Sequence, residues 1–302
     1  MTLVAEAPAI TTQTPATEPV TMPGAVRFNL DSKITGRTYR ILVYQSLMPA
    51  PPEGYPVITV TDGNMNFLLA AVMAGMFAFQ AKPAIIVGVG YPTDAPFDLM
   101  RLRVRDMTPP TPLENIRVSP GLPEPTTENY GGGELFRRFL VEELRPVIAA
   151  GWSVNPHDQT LYGYSLGGLF TLNALFDDPT AFNAYVAASP SIWWNDRAVL
   201  AGEAAFARRV EAGEIAPRVL VTIGENEQDP PNVPPPGMSP EEVRELVAEA
   251  RMVENALELG ARLAALKGAD GYDARFHCFE GEDHLSAMAA SVGRAVDFAL
   301  RP

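Results

Sequence analysis

Gly163-Tyr164-Ser165-Leu166-Gly167 has the spacing of a serine set on a sharp turn between a strand and a helix. An apolar strand-like run over 159–164 leads straight into it, and a helical pattern over 166–176 leaves at once. Such a turn forces the serine into a strained backbone conformation and lifts its hydroxyl above the sheet edge. Glycines on either side let neighbouring backbone approach without a Cβ clash. The departing helix presents its N-terminus to the same point, where it favours a developing oxyanion. A tight turn with an incidental serine is the plain alternative, and the flanking strand and helix weigh against it.

A serine hydroxyl becomes a nucleophile only beside a base, which in this arrangement follows an acid in the order Ser, acid, His. The chain has three histidines. His157 precedes Ser165 in a polar turn and takes no role. His277 falls inside the last apolar strand, where a packed or surface histidine is expected. His284 stands in Gly281-Glu282-Asp283-His284, just past that strand, and is the expected base, a helix-capping surface histidine being the alternative. The acid should follow the strand over 218–223, where Glu225, Glu227 and Asp229 stand together. Glu227 is favoured because it lies deeper in the loop than Glu225; a solvated loop charge is an equal reading for each.

The oxyanion hole needs two backbone N–H groups. Leu166, next after the serine, supplies one, and the loop Asp62-Gly63-Asn64 supplies the other through Asn64. Trp193-Trp194 follow the strand over 184–189 and read as an aromatic wall for substrate or as plain packing. Arg101, Arg103 and Arg105 alternate in a long insertion. They are candidates for meeting an anionic substrate, Arg105 foremost, against surface or structural pairing.

These residues need a scaffold. Strands over 27–30, 39–44, 57–61, 84–89, 159–164, 184–189, 218–223 and 272–279 alternate with helical patterns over 64–80, 133–150, 166–176 and 239–267, and a closing helix begins near 285. Near-continuous apolar strands between helices predict an α/β fold with a mostly parallel sheet of about eight strands covered on both faces. The helix over 64–80 is apolar nearly all round and is expected to be buried. Ser239-Pro240 with Glu242 forms a capping-box signature. The proline-rich segments 91–131 and 229–240 are expected to be cover loops, and 1–24 a flexible tail ahead of one domain over 25–302.

The chain has 302 residues and a net charge of -13, so general nucleic-acid or anionic-membrane binding is not expected. Its single cysteine, Cys278, excludes an intramolecular disulfide and is expected to be a buried, inert thiol. No Lys or Arg precedes Arg27, so a basic leader region is lacking and a cytoplasmic location is expected.

Taken together, Ser32-Lys33-Ile34-Thr35-Gly36-Arg37, Asp62-Gly63-Asn64, Arg105-Asp106-Met107-Thr108-Pro109, Gly131-Gly132-Gly133, the Ser165 motif with Gly168-Leu169-Phe170, Ser189-Pro190-Ser191-Ile192-Trp193-Trp194, Gly224-Glu225-Asn226-Glu227-Gln228 and Gly281-Glu282-Asp283-His284 resemble the α/β-hydrolase esterases grouped with enterochelin (ferric-siderophore trilactone) esterases, over about residues 26 to 300. The resemblance implies a serine esterase acting on a small-molecule ester, with Ser165 as nucleophile, His284 as base, Asn64 and Leu166 at the oxyanion hole, and no metal or organic cofactor. That motif often carries His before the serine, where this chain has Tyr164, and some siderophore esterases are described with a Ser–His pair alone, so the resemblance leaves the acid open. An acyltransferase would use the same machinery with water excluded, and a silent ligand-binding protein would share the scaffold.

Overall fold

The computed structural model describes residues 18–117, 122–231 and 233–301. Of the expected N-terminal tail over 1–24, residues 1–17 lie outside the described residues. Eight strands, β1 (Ala25–Asp31), β2 (Thr38–Gln45), β3 (Tyr55–Val60), β4 (Ile85–Gly90), β5 (Val154–Tyr164), β6 (Ala184–Ala188), β7 (Arg218–Gly224) and β8 (Asp273–Phe279), form one sheet. Their order is β1-β2-β4-β3-β5-β6-β7-β8. Strand β2 runs antiparallel to both its neighbours, and every pair from β4 to β8 is parallel. This is the α/β-hydrolase arrangement.

Side chains of one strand alternate between two faces, so each central strand feeds two cores. Val57, Val87, Tyr185 and Val221 enter one core, and Ile58, Ile86, Val186 and Leu220 the other. The second core is closed by α1 (Gly63–Phe77) and the last helix. The first is closed by α2 (Pro96–Met107), by α3 (Gly133–Arg138), which continues through a π turn into α4 (Arg145–Gly151), and by α5 (Leu166–Asp177). After the short α6 (Trp194–Arg197) come α7 (Glu203–Glu211), α8 (Pro240–Ala250), α9 (Met252–Ala265) and the closing α10 (Ala287–Leu300).

Four expectations need correction. Helix α1 buries only the stripe through Asn66, Phe67, Ala70, Ala71 and Ala74, and leaves Leu68, Val72 and Met76 exposed. Hydrophobic composition alone cannot say which side meets the sheet. The helix expected over 239–267 keeps its capping box, Ser239 with Glu242, but breaks at Arg251, whose φ is 44°. The break starts α9 afresh, so that its free N–H groups at Val253 and Glu254 donate to Gln228 Oε1 at 2.9 and 3.1 Å. The segment 91–131 contains a regular helix, α2, with Pro96 in its first turn. Cys278 is exposed, because β8 is the outer strand of the sheet; partial burial and the nearby Glu225 and Glu227 carboxylates raise its thiol pKa.

Candidate active site

The turn after β5 places Ser165 at φ 61° and ψ -115°, a conformation that non-glycine residues rarely hold. Its N–H donates to Ala188 O on β6 at 3.0 Å, which ties the turn to the next strand. The glycines are sterically required. A Cβ on Gly163 would stand 2.0 Å from Gly167 O, and one on Gly167 would stand 2.6 Å from Thr61 Oγ1. Helix α5 starts at Leu166, so the Leu166 N–H sits at the helix N-terminus beside the serine.

The loops after β7 and β8 bring the other two groups to the same place. His284 Nε2 lies 3.1 Å from Ser165 Oγ, and His284 Nδ1 lies 2.7 Å from Glu227 Oε2. The Glu227 side chain is fully buried, while that of His284 is 42% exposed. Glu227 Oε1 accepts from the Gly224 N–H at 2.7 Å and from the Ser189 hydroxyl. With Oε1 held by these two donors, Oε2 is left facing the imidazole and fixes the edge that meets it.

The His284 loop is clamped on several sides. Asn226 N–H donates to Glu282 O at 2.9 Å, and Gly281 N–H donates to Glu225 Oε2 at 2.9 Å. Tyr164 donates its hydroxyl to His284 O at 2.6 Å. Asp283 accepts from the Leu285 and Ser286 N–H groups, which hold its carboxyl below the usual carboxylate range. Glu225 is thus a loop fastener and Asp229 stays at the surface, so Glu227 alone of the three carboxylates meets the histidine. His277 faces Arg294 at 3.4 Å, away from this cluster.

The loop after β3 carries Asp62 at φ 53° and starts α1 at Gly63. Asn64 is fixed there by its side chain, which accepts from Tyr91 N–H at 2.7 Å and donates to Tyr91 O and Thr93 O. Its backbone N–H therefore lies in the first turn of a helix, among the groups with no intrahelical acceptor.

The middle arginine of the three in the insertion joins these parts by structural pairing. Arg103 on α2 grips Asp62 with two bonds, Nε to Oδ1 at 2.7 Å and Nη2 to Oδ2 at 2.8 Å. The same Nη2 donates to Tyr164 O at 3.3 Å, the carbonyl immediately before Ser165. One buried guanidinium thus spans the candidate oxyanion loop and the serine turn. Arg105 points elsewhere, donating to Thr127 O and Glu128 O, and so fastens the insertion rather than facing the serine. Reading 96–107 as a helix would have separated them, since Arg103 falls on the buried side with Val104 and Met107. Ser189, at φ 43° and fully buried, had been given no role by its motif. Trp194 is 2% exposed, stacks on Tyr130 and donates Nε1 to Thr111 Oγ1 at 2.9 Å, so it packs the core instead of walling a pocket. Trp193 stays half-buried and lines a cavity.

Comparison with known proteins agrees with this architecture. The Esterase family model matches residues 32–261. This chain belongs to the Esterase family. It is 36% identical to the ferri-bacillibactin esterase BesA of Bacillus subtilis over 93% of this chain and 91% of the relative. It is 34% identical to the siderophore triacetylfusarinine C esterase of Aspergillus fumigatus, over 92% of this chain and 94% of the relative. The crystal structure of BES protein from Bacillus cereus superposes with a TM-score of 0.79 at 31% identity, covering 95% of this chain and 100% of that one. The Esterase-family chain is a carboxylic ester hydrolase. Among its described residues no helix is long and apolar enough to cross a membrane.

Proposed function

We propose that this esterase opens the ester or lactone bonds of a small-molecule siderophore, with Ser165 as nucleophile, His284 as general base and acid, and Glu227 as the carboxylate that orients the imidazole. The observation that carries this reading is the unbroken chain of contacts from Ser165 Oγ through His284 to Glu227, at 3.1 and 2.7 Å. The names of the relatives in Bacillus subtilis and Aspergillus fumigatus supply the substrate class.

Ser165 Oγ attacks the ester carbonyl carbon while its proton passes to His284 Nε2. The carbonyl oxygen becomes an oxyanion held by the Leu166 and Asn64 N–H groups. Collapse of this intermediate breaks the bond to the alcohol, whose oxygen takes the proton from His284. Water then attacks the acyl-enzyme, again giving its proton to Nε2, and the carboxylic acid leaves as the serine is reprotonated. Glu227 stabilises the transient imidazolium without taking its proton.

The test is labelling with a fluorophosphonate serine probe, followed by peptide mass spectrometry. Label on Ser165 in the wild type, its absence in Ser165→Ala and its loss in His284→Ala are expected. Label elsewhere, or undiminished label in a folded His284→Ala protein, overturns the assignment.

A further inference from the structure

Asp62 is the N-cap residue of α1, yet its side chain caps nothing. A carboxylate at that position ordinarily sits on extended backbone and accepts from the N–H two or three residues on. After Asp62 those are the N–H groups of Asn64 and Met65. Met65 N–H already donates to Asp62 O at 2.8 Å, so a capping carboxylate would fall on Asn64 N–H, the group assigned to the oxyanion.

Arg103 stands in the way of that cap. Its guanidinium takes both Asp62 oxygens, at 2.7 and 2.8 Å, while the Asp62 backbone stays left-handed at φ 53°. The two side chains are 7% and 3% exposed, so solvent hardly competes for either charge. Two parallel N–H donors on one planar edge meet both carboxylate oxygens, which the point charge of an ammonium does not reproduce.

The same guanidinium reaches the serine turn. Nη2 also donates to Tyr164 O at 3.3 Å, the carbonyl just ahead of Ser165, whose φ is 61°. Each expected oxyanion donor therefore stands two residues past a group that Arg103 holds, Asn64 after Asp62 and Leu166 after Tyr164. Asp62 and Ser165 both keep a positive φ at a strand-to-helix turn, a conformation that persists only where the surroundings impose it.

On the esterase reading above, with Asn64 and Leu166 as oxyanion donors, we propose that Arg103 is a positioning residue for the hydrolysis. It holds the Asp62 carboxylate off the Asn64 N–H and ties that loop to the serine turn, so that both donors stay free at a fixed separation. A carboxylate resting on Asn64 N–H would fill the place where the ester oxygen gathers charge, and would repel that charge. The uncharged ester carbonyl of the bound substrate feels this far less than the tetrahedral oxyanion does. The effect of losing Arg103 therefore falls on kcat, not on KM.

The test compares wild type with Arg103→Met, Arg103→Lys and Arg103→Met/Asp62→Ala, each checked for folding by circular dichroism. Turnover of 4-nitrophenyl butyrate is measured beside inhibition by butane-1-boronic acid, whose serine adduct places an oxygen among the same donors. Arg103→Met should lose about 10²-fold in kcat, with KM within about threefold and the boronic acid Ki raised about tenfold or more. Removing the carboxylate as well should return about tenfold of that kcat, because alanine has nothing to set on Asn64 N–H. Arg103→Lys keeps the charge without the fork and should fall between wild type and Arg103→Met. A kcat within about threefold of wild type in folded Arg103→Met, a fall in kcat with Ki unmoved, or no return in the double variant overturns the proposal. Where Arg103→Met does not fold, Arg103→Lys decides: kcat and boronic acid affinity falling together by about fivefold or more support it, and a smaller loss overturns it. If wild type turns over no ester, the esterase reading is what fails, and nuclear magnetic resonance of asparagine-labelled protein then decides the role of Arg103. The Asn64 amide proton should move downfield in Arg103→Met as it meets the Asp62 carboxylate and return in Arg103→Met/Asp62→Ala; an unmoved signal overturns the positioning role.

Discussion

Glu227→Gln isolates the role of the carboxylate without changing its shape. In the native chain Oε2 faces His284 Nδ1 at 2.7 Å, and Oε1 accepts from Gly224 N–H and Ser189 Oγ. A glutamine amide has one acceptor end and one donor end. Turning its NH₂ toward Gly224 would set donor against donor in a buried position, so the amide oxygen keeps that place and the NH₂ faces His284. The imidazole must then accept at Nδ1 and carry its proton on Nε2, where it can no longer take one from Ser165. The wrong tautomer in an acid–histidine–serine relay costs about 10⁴ in rate, or roughly 5.5 kcal/mol of barrier. We expect kcat/KM on 4-nitrophenyl butyrate to fall by about that factor in Glu227→Gln, with the far-UV circular dichroism unchanged. Glu225→Gln, which touches only the Gly281 N–H, should stay within about threefold of wild type. A loss below tenfold at Glu227, or equal losses at both positions, would refute the assignment of the acid.

Three further outcomes follow from the same structure. Arg103→Met leaves Asp62 as a buried carboxylate without its partner and should cost about 3–5 kcal/mol in urea denaturation, more than half of it recovered in the Arg103→Met/Asp62→Asn double variant; no recovery would mean that the pair is not the source. Burial pushes the Asp106 carboxyl up from 3.8 to about 6 despite bonds from Tyr39, Tyr91 and Arg37. Because the folded state holds this proton more tightly than the unfolded state, the contribution is stabilising below pH 4 and is lost as pH rises to about 6, up to about 3 kcal/mol. The stability profile of Asp106→Asn should lack that decline, and an identical slope in both proteins would exclude Asp106 as its cause. Gly163→Ala drives a Cβ into Gly167 O at 2.0 Å and should abolish fluorophosphonate labelling or soluble expression, whereas Gly151→Ala, with nothing within 4 Å, should label as wild type.

Local spacing was sufficient wherever the chemistry is local. The serine turn needs a strand, a glycine-flanked serine and a helix in unbroken succession, and all three are written within 159–176. The capping box at Ser239 is local in the same sense, and so is the continuous apolar character of the doubly covered strands. Order along the chain was enough to single out His284 as the histidine that meets Ser165 and the loop after β7 as the source of the carboxylate beside it.

What the sequence left open is set by contacts between distant parts of the chain. His284 lies 119 residues from Ser165 and 57 from Glu227, and only the parallel order β5-β6-β7-β8 brings their loops to one edge. Which of Glu225, Glu227 and Asp229 turns inward is decided by the Gly224 and Ser189 donors, and Ser189 belongs to a different strand end. Arg103 and Arg105 are alike as residue types, yet helical phase buries one against Asp62 and leaves the other to fasten a loop. The two tryptophans separate for the same reason, Trp194 into the core and Trp193 onto the cavity wall. Residue type and short-range spacing are properties of the chain, but burial and partner choice are set by the sheet order and by what packs above it.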